Sequence, residues 1–127
     1  MEKIVIHSKD APSAIGCYSQ GIKCGNLVFL SGQIPLDAAT MQMVEGPIEI
    51  KIAKVLNNLK TVAEAAGGSL NDLVKVTVYL TDLANFQAVN NAMAGYFEKP
   101  YPARAVIGVA SLPKGAEVEI EAVMVLS

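Results

Sequence analysis

Hydrophobic residues recur along this chain with two different periods, and the switches between them mark out the elements. Lys3 to His7 reads as a strand, as does Leu27 to Gln33, an apolar run that follows the turn signal Gly25-Asn26. From Ile48 the spacing changes to three and four. Ile48, Ile52, Val55, Leu56, Leu59, Val62, Ala63 and Ala66 then share one face of a helix, with Pro47 suited to its first turn and Gly67-Gly68 to its end. A period of two returns over Val74 to Thr81, where Val74, Val76, Val78 and Leu80 oppose Lys75, Thr77 and Tyr79. Phe86, Val89, Asn90, Met93, Tyr96 and Phe97 resume helical spacing until Pro100 ends it. Ala103 to Ala110 and Glu117 to Leu126 read as two further strands, joined by a Leu112-Pro113-Lys114-Gly115 turn. Pro35 to Pro47 is left as a long loop. The order β-β-α-β-α-β-β predicts an α+β layer with the helices packed on one face of a sheet.

The last strand says something about the other face. Glu117, Glu119 and Glu121 alternate with Val118, Ile120, Ala122 and Met124, and they share their side with Val123 and Val125. A face in contact with water alone has no need of those valines. Its apolar half is expected to close against other subunits, with the charged half bordering a cleft.

Composition agrees. The chain has 127 residues, of which 52% are hydrophobic, and its mean hydropathy is +0.38. That length predicts one domain over residues 1–127, and the apolar excess predicts homo-oligomerisation. No apolar run approaches the ~18 residues of a membrane span. Three consecutive apolar residues near the N-terminus fall short of the roughly seven of a secretory signal, so a cytoplasmic protein is expected. A net charge of −2 without a basic and aromatic stripe disfavours nucleic acid as a partner. Cys17 and Cys24 match no metal or redox spacing and read as free thiols.

Arg104 is the only arginine, against nine lysines. Its planar fork of donors matches the two oxygens of a carboxylate, which a lysine cannot reproduce; the alternative is an ion pair with one of the twelve acidic residues. In an antiparallel hairpin of the last two strands, Arg104 and Glu119 approach across one face, out of direct register. Pattern alone does not distinguish Glu119 from its neighbouring glutamates. Tyr18, in the small-residue loop Ala14-Ile15-Gly16-Cys17-Tyr18-Ser19-Gln20-Gly21, suits either a pocket or the edge of the core. Ser31-Gly32-Gln33 exposes backbone closely at a strand end. His7, the only histidine, reads as a solvated strand end. No phosphate loop or dinucleotide fingerprint is present.

Four ordered motifs, Ala14-Ile15-Gly16-x-Tyr18-Ser19-Gln20-Gly21, Ser31-Gly32-Gln33-Ile34-Pro35, Pro102-Ala103-Arg104 and Leu112-Pro113-Lys114-Gly115-Ala116-x-Val118-Glu119-Ile120-Glu121-Ala122, together resemble the RidA (YjgF) family over the full chain. The resemblance implies a chorismate-mutase-like α+β fold, a mixed sheet with two helices on one face, assembled as a homotrimeric barrel with clefts between subunits. It implies hydrolysis of reactive enamine and imine intermediates such as 2-aminoacrylate to 2-keto acids and ammonia. By motif, the carboxylate-binding arginine falls on Arg104, the water-handling glutamate on Glu119 and the pocket tyrosine on Tyr18. Ser31 and Gly32 correspond to the pocket loop and Asn90 to the helix asparagine at the cleft. Cys17 stands where a proline is usual, and Val106 where many relatives have a cysteine whose backbone contacts ligand.

Such a reaction needs an anion anchor and a placed water more than a strong base. No metal or organic cofactor is required. Glu119, with an ordinary carboxyl pKa of about 4.3, is expected to be ionised at neutral pH. Two other readings compete: a non-catalytic regulator that binds small carboxylates, and a ribonuclease or translation inhibitor, against which the acidic charge balance counts.

Overall fold

The computed structural model describes residues 1–127. Strands are β1 (Lys3–Ile6), β2 (Gly21–Cys24), β3 (Leu27–Gln33), β4 (Leu73–Leu80), β5 (Ala103–Gly108) and β6 (Val118–Val125), and the helices are α1 (Ile48–Ala65) and α2 (Phe86–Tyr96). They form one mixed sheet in the order β1-β2-β3-β6-β4-β5, in which only the β4-β5 pair is parallel. α2 carries the chain between those two strands, as parallel neighbours require.

Val74, expected on the face of Val76, Val78 and Leu80, is 46% exposed, because the β4-β6 register shifts between Leu73 and Lys75. Two expectations of strand order also change. Gly21–Cys24 is a strand, paired with β1 and β3, so three strands precede α1. And the last two strands form no hairpin: β4 lies between β5 and β6.

The apolar stripe of α1 works as its spacing predicts. Ile52, Val55, Leu56, Leu59, Val62 and Ala63 are buried, and they pack with Val89 and Met93 of α2 over the inward residues of the sheet. Those include Val28 and Leu30 of β3, Val76, Val78 and Leu80 of β4, and Val118, Ile120, Ala122 and Met124 of β6. Both helices therefore cover one face. α1 stops at a Schellman turn, with Gly67 at φ +96°, Gly67 N–H donating to Glu64 O and Gly68 N–H to Ala63 O.

The opposite face is open. Register places Val5, Ile22, Phe29 and Val123 in one row across β1, β2, β3 and β6. Val5 is 63% exposed, Phe29 48% and, on β5, Ile107 43%. Fully burying side chains of this size is worth roughly 1.5 to 3 kcal/mol each, so the face carries a driving force for association. Glu119 and Glu121 stand on this face, opposite Tyr79 and Thr77. Glu117 does not join them. It precedes β6, and its carboxylate pairs with Lys51 of α1. No helix is long and apolar enough to cross a membrane.

Candidate active site

Strand register separates the residues that the sequence suggested together. Arg104 is paired with Val76, whose side chain is in the core, so the guanidinium lies on the helix side of the sheet. Glu119 is paired with Tyr79 and lies on the open side. Within one chain the expected approach of Arg104 and Glu119 across one face does not occur, because β4 intervenes and the two side chains leave the sheet in opposite directions.

On the helix side, Arg104 meets α2. Its Nη1 donates to Asn90 Oδ1 at 3.0 Å and contacts Met93 Sδ at 3.7 Å, and its Cζ lies 5.3 Å from the centroid of the Phe86 ring. The helical period makes this possible, since Phe86, Asn90 and Met93 are spaced by four and three residues. These contacts orient the guanidinium and leave it without an acidic partner. The chain's two ion pairs, Lys51 with Glu117 and Lys54 with Asp37, do not involve it. The alternative of an intrachain ion pair is thus excluded. Arg104 and Asn90 line a cleft of about 370 Å³ together with Met93, Ala94, Tyr101 and Pro102.

A second cleft of about 640 Å³ opens on the other side, and Tyr18, Ser31, Gly32, Glu119 and Glu121 all line it. The β3-β6 register slips between Leu30 and Gln33, which brings Gly32 under the Glu119 carboxylate. Partial burial raises the Glu119 pKa above the ordinary carboxylate value, and the charge of Glu121 raises it further. The expectation of an ordinary carboxyl is corrected accordingly: the proton is held more tightly than the residue type alone implies.

Tyr18 is exposed, and its hydroxyl accepts a hydrogen bond from Ile15 N–H at 3.2 Å, so the ring closes over its own loop. Gly16, at φ +117°, supplies the bend. Ser31 Oγ donates to Ser19 O at 2.5 Å, which ties β3 to that loop rather than leaving the hydroxyl proton free for a ligand. Val106 is paired with Val78 and packs against the core, and it lines neither cleft. The structure therefore groups Arg104 with Asn90, and Glu119 with Tyr18, Ser31 and Gly32.

Two residues to which the sequence assigns no role hold the second cleft in shape. Gln20 is 2% exposed; its Nε2 donates to Ser8 O, Ala11 O and Pro12 O, and its Oε1 accepts from Ser8 N–H. Asn58 of α1 is 3% exposed, and its Nδ2 donates to Leu36 O at 3.0 Å and Ile34 O at 3.4 Å. Pro12, Ile34 and Leu36 are cleft walls. A buried carbonyl left without its donor costs about 1 to 3 kcal/mol, so these amides fix the walls. A polar residue at position 58, three after Val55 and four before Val62 on the apolar stripe, is the signal that marks it.

The sequence pattern of the family described as endoribonuclease L-PSP matches residues 8–126. The chain is 49% identical to a RutC family protein of Pyrococcus horikoshii over 95% of this chain and 96% of that one. It is 44% identical to a 2-iminobutanoate/2-iminopropanoate deaminase of Dermatophagoides farinae, covering 98% of this chain and 97% of the relative. The crystal structure of RidA from an Antarctic Psychrobacter superposes with a TM-score of 0.93 at 46% identity, covering 97% and 99% of the two chains. With the mixed α+β fold and its motifs in place over nearly the whole length, the chain belongs to the endoribonuclease L-PSP family, the family of RidA and YjgF.

Proposed function

We propose that this protein is a cytoplasmic homotrimer that hydrolyses 2-aminoacrylate- and 2-iminobutanoate-type enamine and imine intermediates to 2-keto acids and ammonia, with no metal or organic cofactor. The observation that carries the reading is Arg104: the only guanidinium of the chain is oriented by Asn90, Met93 and Phe86 and meets no carboxylate. A site so prepared suits a small anion that arrives with its own carboxylate. The similarity to a named 2-iminobutanoate/2-iminopropanoate deaminase adds support.

The trimer completes the site. Arg104 and Glu119 of one chain lie on opposite sides of the sheet, so a shared site draws Arg104 and Asn90 from one copy and Glu119, Tyr18, Ser31 and Gly32 from its neighbour. The exposed apolar row of the open face supplies the contact. The backbone of β5 at Val106, on the edge of the sheet, is available at such a junction.

In this arrangement the carboxylate of a 2-imino acid pairs with Arg104, which fixes the iminium carbon against a water held by Glu119. Glu119 takes one proton from the water as its oxygen bonds to that carbon, giving a carbinolamine. The same carboxyl returns the proton to nitrogen. It then takes the hydroxyl proton as the C–N bond breaks and ammonia leaves, and that last proton passes to ammonia. The sum is iminium plus water to keto acid plus ammonium, with the Glu119 carboxylate regenerated.

Imine generated by a purified serine or threonine dehydratase decays in water by itself. Substoichiometric amounts of this protein are expected to accelerate that decay with multiple turnover. Stoichiometric keto-acid binding without acceleration would instead favour the regulator reading, which the separation of Arg104 from Glu119 within one chain also motivates.

A further inference from the structure

Two glutamates share the open-face cleft and neither meets a cation. Glu119 and Glu121 are two residues apart on β6 and project from the same side, and neither takes part in the chain's ion pairs. Across the ladder Glu119 is paired with Tyr79 and Glu121 with Thr77. The Tyr79 hydroxyl nevertheless crosses the diagonal and donates to Glu121 Oε1 at 2.7 Å. Tyrosine thereby fixes a second carboxylate beside the first instead of satisfying Glu119 itself.

We propose that Tyr79 and Glu121 are positioning residues that hold a like charge beside Glu119, so that its one carboxyl can serve both as base toward water and as acid toward the departing amine. The inference rests on the deaminase reading above for the role of Glu119. A carboxyl that must act in both directions works best when neither form dominates, and a neighbouring like charge is the direct way to hold a proton on it.

The surroundings fit. The other titratable groups that face this cleft are Tyr18 on its loop and Lys114 on the turn before β6, while β3 presents Leu30, Ser31, Gly32 and Gln33, none of which carries a charge. Lys75 stands farther along, opposite Val123. Burial of Glu119, followed by the charge of Glu121, raises its pKa, and the hydrogen bond to Glu121 raises that of Tyr79.

The test uses the assembled protein, labelled with ¹³C at glutamate carboxyls, and reads Glu119 by NMR in the wild type, Glu121→Gln and Tyr79→Phe. Loss of one resonance in Glu119→Gln assigns it. In Glu121→Gln the Glu119 midpoint is expected to move toward lower pH, and in Tyr79→Phe to move the same way by less, because the freed Glu121 turns into solvent. In imine hydrolysis, the ratio of kcat/KM at pH 5 to that at pH 8 is expected to rise about threefold in Glu121→Gln. A Glu119 midpoint unchanged in both variants, with the fold and assembly intact, overturns the inference. A wild type that hydrolyses no imine sinks the deaminase reading instead, and the titration still decides whether Glu121 and Tyr79 govern the proton on Glu119.

Discussion

The carboxylate of Glu119 occupies the space that a side chain on residue 32 would need: a Cβ placed on Gly32 falls 2.1 Å from Glu119 Oε2. The backbone of Gly32 does not adopt the left-handed conformation that glycine favours, so the constraint there is room alone. Gly32→Ala is expected to fold and melt close to the wild type while displacing the carboxylate. Misplacing a catalytic group by about 1 Å can cost on the order of 100-fold in rate, and steady-state imine hydrolysis beside a thermal melt measures both quantities.

Arg104→Lys keeps the charge and loses the fork. Removing one partner of a buried charge pair costs ~2 to 5 kcal/mol, or about 30-fold to several thousand-fold in affinity. Arg104→Ala is expected to approach that loss, with lysine recovering only part and turnover falling with binding. Since Arg104 has no acidic partner within its chain, neither variant should melt much below the wild type. A lysine variant with near-normal hydrolysis overturns the anchor assignment.

Glu117 and Glu119 are two residues apart and face different neighbours. Glu119→Gln is expected to keep ligand affinity and to slow hydrolysis by roughly 100-fold or more, the usual scale of acid–base catalysis. Glu117→Gln breaks the pair with Lys51, which at a partly exposed site is worth up to about 1 kcal/mol. Its signature is a slightly lower melting temperature at an unchanged rate. Equal losses of activity at both positions would indicate a general charge effect.

Stability follows the same carboxyl. The pKa of Glu119 is raised in the folded protein, by burial first and by Glu121 second, so folding favours its protonated form. That contribution is complete below the ordinary carboxylate pKa and is lost as pH rises through the folded value. Glu119→Gln cannot ionise, and it should melt above the wild type at pH 7 with the advantage gone near pH 4. Because the group is only partly buried, the gain is expected to be small, about 1 to 3 °C. Melting curves at the two pH values check the sign.

Side-chain faces were readable in the sequence because they depend on local periods. The stripe of α1 and the alternation of β6 from Val118 to Val125 follow from spacings of three and four and of two. Strand order is not local. A short link between β5 and β6 suggests a hairpin, since consecutive strands are neighbours about two-thirds of the time, and nothing between Val109 and Glu117 announces that β4 takes the place between them. Gly21–Cys24 escaped notice because four residues containing a glycine and a lysine show no clear alternation; pairing with β1 and β3 makes them a strand. The motif resemblance named Arg104, Asn90, Tyr18, Ser31, Gly32 and Glu119, but their division between two sides of one sheet required the register. Gln20 and Asn58 act through carbonyls of distant loops; the spacing of Asn58 on the α1 stripe marks it as buried, but no spacing reveals which carbonyls it meets.

On the proposed reading, that division makes the isolated chain an incomplete catalyst. If one copy lends its arginine and the next its glutamate, Arg104→Ala and Glu119→Gln proteins are each inactive alone and complementary when mixed. Random reassembly in equal amounts joins an intact arginine to an intact glutamate in about a quarter of the junctions, as expected for a ring of head-to-tail contacts. Recovered hydrolysis in refolded mixtures, and none in mixtures never unfolded, would show that activity belongs to the boundary between copies. Dilution would then act as an off switch, and subunit concentration would enter the rate law alongside substrate.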